Sequence, residues 1–82
     1  MSEHLAVALV ELIASVELAH DEHIDQDFAV ALVEQAAFAL RKLNDADRAQ
    51  LSVLSARLAS ETSDPRRAEL LRNLPDALGI AP

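Results

Sequence analysis

Glu17 and His20 stand three residues apart in ELAHDEHIDQD, residues 17–27, a stretch that gathers five carboxylates and two of the chain's three histidines. On a helix the Glu-x-x-His spacing puts a carboxylate and an imidazole on one face, as in carboxylate-bridged metal bundles. A dinuclear site of that kind needs the motif twice, and it occurs once. Asp21, His23 and Asp25 would complete a mononuclear site of nitrogen and oxygen ligands, which makes Glu17, His20, His23 and Asp25 candidate metal ligands. Acids also alternate from Asp21 as in a calcium loop, but the sharp-turn glycine is missing and the twelfth position is Leu32. The plainer account is a solvated turn in which acids cap helices and the histidines face water.

Other chemistry is harder to place. There is no cysteine, so disulfides, thiolate zinc sites and a cysteine nucleophile are excluded. A single glycine rules out glycine-rich phosphate loops, and no serine sits in a nucleophile elbow. Paired carboxylates do acid–base work only in a cleft that shifts their pKa values. Four short helices leave little room for one, so the chain reads as a non-enzyme that requires no cofactor.

The elements that would position these residues follow from apolar periodicity. Leu5, Leu9, Leu12, Ile13, Val16 and His20 share one side of a helix over about residues 2–20. Ala6, Val10 and Ala14 widen that side until only His4, Glu11 and Ser15 mark a wet face. Such a helix is either the most buried element or buries a face against a second chain. Asp25 suits the N-cap of a second helix reaching about Leu43, with Phe28, Leu32, Ala36, Ala39, Leu40 and Leu43 on its apolar arc. Asn44, with Asp47 three residues on, opens a third helix over about 45–62 whose seam is Leu51, Leu54 and Leu58. Asp64 followed by Pro65 starts a fourth, with Leu70, Leu71 and Leu74 on its apolar side before Pro75. A last turn over 76–78 ends at Gly79, the only glycine. Short connections imply antiparallel neighbours, and nothing marks a second domain. The expected fold is all-α, one domain over residues 1–82, a small antiparallel bundle of three longer helices and a short C-terminal fourth.

Charge is unevenly spread along this scaffold. Residues 1–40 hold eight acids and no Lys or Arg, while residues 41–82 hold six acids against seven bases, so −8 and +1 give the net −7. That balance argues against nucleic acid, which needs clustered cations. Arg66, Arg67 and Arg72 form a small basic group, expected to pair with carboxylates of the first two helices or to solvate a face. The apolar run at the N-terminus lacks a basic segment and is interrupted by Glu11 and Glu17, so neither a signal peptide nor a membrane span is expected, and the chain reads as cytoplasmic.

Phe38 is the discordant residue. It falls outside the apolar arc of its helix, among Asp27, Glu34, Gln35, Arg41 and Lys42. Either the fourth helix or the C-terminal tail covers it, or it is an exposed anchor ringed by charge, the make-up of an interface hot spot. With Glu17, Asp21, Glu22, Asp25, Asp27 and Glu34 steering, Phe38 would anchor a basic-surfaced protein partner. Bacterial immunity proteins and antitoxins, inhibitors of targets such as nuclease toxins, work by that physical principle. The alternatives are self-assembly through the first helix and metal binding at residues 17–25.

Overall fold

The computed structural model describes residues 1–19 and 22–81. Among them are four helices and no strand: α1 (Glu3–Leu18), α2 (Gln26–Leu40), α3 (Asp45–Glu61) and α4 (Pro65–Leu78). Each start is fixed by a short acceptor side chain on an N–H that the helix cannot satisfy itself. Ser2 accepts from the Leu5 N–H at 3.5 Å, Asp25 from Phe28 at 3.0 Å, Asn44 from Asp47 at 2.8 Å and Asp64 from Arg66 at 3.0 Å. The four-helix bundle and the N-caps Asp25, Asn44 and Asp64 are those the sequence implies, while α2 stops at Leu40, short of the expected Leu43.

Helices α3 and α4 form the closest pair, α1 lies across both, and α2 is held by α1 and α4. The core consists of aliphatic side chains, with Leu51, Leu71 and Leu78 the largest that are fully enclosed. Its one buried polar residue among those described is Ser55, and the reason lies on α4. The last turn over 76–78, ending at Gly79, is continuous with α4, which runs through Pro75 to Leu78. A proline within a helix has no N–H for the carbonyl four residues back, which here is Leu71. The Ser55 hydroxyl donates to the Leu71 carbonyl at 2.6 Å in the interior. Ser55 and Pro75 line the same small apolar void, so α3 supplies the donor that Pro75 withholds.

Beyond Pro75, Gly79 adopts the left-handed conformation at φ 72°. Its N–H bonds the Asp76 carbonyl at 3.1 Å, and the Ile80 N–H reaches Pro75 at 3.0 Å. These are the paired bonds of a Schellman turn, and they fold Ile80 back into the core beside Pro75.

Helix α1 corrects an expectation. Its interior face is Ala6, Val10, Ile13 and Ala14, whereas Leu5 and Leu12, placed on the buried side by periodicity, are 68% and 64% exposed. Two ion pairs explain the rotation. Glu3 meets Arg57 of α3 at 2.6 Å and Glu11 meets Arg67 of α4. At about 100° per residue Glu3 falls between Val10 and Ala14 at the N-terminal end of this face, and Glu11 lies beside it, beyond Ala14. Small residues let α1 approach α3 and α4 closely, so the leucine side turns away. On α2 the arc is displaced too. Ala29, Ala37 and Leu40 are buried, but Phe28 is 58% exposed, and neither phenylalanine belongs to the core.

Two stability measurements follow. Ser55→Ala leaves a buried carbonyl without a donor and should cost about 1–3 kcal/mol in urea unfolding. In a Pro75→Ala background the restored amide bonds Leu71, and the same substitution should cost less. Additivity of the two within about 0.5 kcal/mol would show that they are uncoupled. Gly79→Ala should lose about 1–2 kcal/mol from the left-handed backbone. Its new Cβ would lie 3.0 Å from Cδ of the flexible Arg41 side chain, which can yield, so a much larger loss would mean that the contact dominates.

Candidate functional site

The acidic turn joins α1 to α2. Asp25 is committed to the α2 N-cap, and Asp27 lies in that helix's first turn, where a negative charge complements the helix dipole. The Gln26 side-chain amide donates to the Ala19 carbonyl at 3.2 Å, tying the end of α1 to the start of α2. Glu22 and His23 lie 4.0 Å apart and are both exposed. His20 and Asp21, members of the expected metal and partner sets, fall outside the described residues. Among the described residues, no group of three or more His, Asp or Glu is placed to hold a metal ion.

The partner-binding candidates separate into two places. Glu17 faces a groove at the junction of α1, α2 and α4 that it shares with Arg66 and Glu69. Asp27, Glu34 and Phe38 lie on the outer side of α2, away from its buried stripe. Glu34 is one turn before Phe38, and Asp27 is about 16 Å before it along the axis.

Phe38 is 59% exposed, so neither α4 nor any other described residue of the C-terminal segment covers it. Instead the Lys42 ammonium sits over its ring, 4.2 Å from the centroid. A cation at that position is drawn to the ring's negative face and stabilises an exposed aromatic by about 0.5–1 kcal/mol. The contact orients the ring and leaves its other side open.

Three of the five arginines of α3 and α4 are engaged in ion pairs, and of Arg66, Arg67 and Arg72 only Arg67 pairs with a described carboxylate of the first two helices, the other two being exposed. Arg67 bonds the Glu11 carboxylate and, at 3.5 Å, its backbone carbonyl, as expected for an arginine pairing with the first helix. Arg57 bridges Glu3 and Glu61, and Arg48 pairs with Asp45. The hydrogen bond and charge of Arg57 hold the Glu3 carboxyl below its ordinary value of 4.5, and Glu3 raises Arg57 in turn. Because the folded carboxyl is the stronger acid, this pair's contribution is present above pH 4.5 and is lost as pH falls through the lowered value.

A second surface combines the apolar side of α1, expected as a possible face for a second chain, with residues of α2 that were not expected to take part. Between α1 and α2 runs an open apolar groove of about 330 Å³, lined by Leu9, Leu12 and Val16 from α1 and by Leu32, Val33 and Ala36 from α2, with Gln35 also on its wall. The surplus width of the α1 apolar arc was the signal for it. No helix among the described residues is long and apolar enough to cross a membrane. Compared with protein families, curated proteins and solved structures, the chain gives no match.

If both rings lie outside the core, replacing them is cheap. Phe38→Ser and Phe28→Ser should each lower stability by about 1 kcal/mol or less in urea unfolding. A loss of about 3 kcal/mol or more, the scale of a core phenylalanine, would place the ring inside.

Proposed function

We propose that this chain is a small acidic, non-enzymatic binding protein that occludes the surface of a protein partner, with Phe38 as anchor and the acids of the turn and α2 as its steering field. The supporting observation is the exposed Phe38 ring, oriented by Lys42 on the side of α2 that also carries Asp27 and Glu34. A held aromatic with one free side gains on docking without losing much side-chain freedom. Asp27 and Glu34 put negative charge on this side of α2, beside the cations Arg41 and Lys42, and residues 1–40 as a whole carry no Lys or Arg. A partner with an apolar pocket and a basic rim is the complement, as on nucleases and other proteins that bind phosphate chains. Inhibition by occlusion, the way immunity proteins and antitoxins act, needs only such a face on a stable scaffold.

Affinity capture at low salt tests this with the parent, with Phe38→Asp, and with Asp27→Lys combined with Glu34→Lys. The expected result is one basic protein retained by the parent and lost by both variants, with an association rate that drops steeply as salt rises. Capture that survives both substitutions, or association indifferent to salt, would overturn the reading.

A further inference from the structure

The α1–α2 face carries a different inference, independent of the Phe38 reading. We propose that this face is where a second copy of the chain docks, about a twofold axis, burying the groove between α1 and α2 in each copy.

Three observations carry it. The face is apolar and open, with Leu5 and Leu12 projecting from α1 and Phe28 and Leu32 from α2, all exposed. It is also uncharged in a strongly acidic molecule. Glu3, Glu11 and Glu17 point to the other side of α1, and Asp27 and Glu34 to the far side of α2, by the 100° step between residues. A basic partner would find none of the molecule's acids here. Two copies, each carrying −7, can approach along this face because the repelling charges lie away from the seam.

Shape points the same way. A twofold interface must complement itself, so one patch must carry both knobs and a hole. Here Leu12 of α1 and Leu32 of α2 line a groove of about 330 Å³, and the leucine ridge of one copy would enter the groove of the other. Two helices about 24 Å long and 10 Å wide present on the order of 500 Å² in projection. That is near the upper limit for an exposed patch on a monomer, and the pleated surface it represents approaches the ~800 Å² per partner of a standard interface.

The test is sedimentation equilibrium of the full chain from micromolar to millimolar concentration, at low and high salt, alongside far-UV circular dichroism. The mass should rise from 8.9 kDa towards twice that value. Added salt should preserve or strengthen association, because it screens like charges outside an uncharged seam. Leu12→Glu and Phe28→Glu should each weaken association about 10- to 100-fold while keeping the helical spectrum. Val53→Glu, at an exposed position on α3, and Phe38→Asp should leave it unchanged. A parent that stays monomeric at millimolar concentration overturns the proposal, as does association that survives both glutamates or weakens with salt. Since Phe38→Asp spares the dimer while abolishing partner capture, either reading can fail without the other.

Discussion

The hydrogen bond from Ser55 to the Leu71 carbonyl is the contact on which the arrangement turns. Without it α4 would have to stop at Pro75 or bury an unpaired carbonyl, which costs about 1–3 kcal/mol. With it, the helix continues one more turn. Leu78 then reaches the interior, Gly79 reverses the chain, and Ile80 seals the same void that Ser55 and Pro75 line. The α3–α4 pair becomes a base on which the other two helices are laid, and the polar contact at its centre fixes the register between them.

That base determines which side of α1 turns inward. Arg57 and Arg67 offer two cations at separated points, and Glu3 and Glu11 meet them. Each pair is surface-exposed enough to contribute little stability on its own. Together they select among rotations of a helix that is apolar almost all round, which is a matter of specificity more than of energy. The alanine face fits against α3 and α4, and the larger leucines are left for α2 and solvent. Helix α2, resting on what remains, buries only Ala29, Ala37 and Leu40. A small aliphatic core and two exposed phenylalanines are thus consequences of one packing choice.

Much of this was legible from residue types. Asp25, Asn44, Asp64 with Pro65, and Gly79 each have a single strong local role, and all four occupy it. Phe38 could be placed outside the core because charged neighbours surround it on the wheel. What periodicity could not resolve was the direction of α1, whose apolar arc exceeds what three neighbours in a small bundle can cover. The decisive clue was long-range: two carboxylates, eight residues apart, on and beside the small-residue face, that pair with cations more than fifty residues away. How the donor missing at Pro75 is replaced was hidden for the same reason. The proline's helix-ending tendency is local, and the serine that offsets it sits on a different helix, within an otherwise leucine-lined face.

The acids of ELAHDEHIDQD divide accordingly. Asp25 is needed to start α2 and Asp27 favours its first turn, while Glu17 belongs to the groove near Arg66 rather than to the face that carries Phe38. The negative field of the first half of the chain therefore surrounds the neutral α1–α2 strip without entering it. If that strip is closed by a second copy, both Phe38 faces remain outward, one on each side of the pair. A dimer of that form would present two anchors to a partner with repeated sites, and the second engagement would occur at the effective concentration set by a rigid body instead of a flexible tether. In such a dimer, separating a charged face from an uncharged one lets a single small fold recognise both itself and something else.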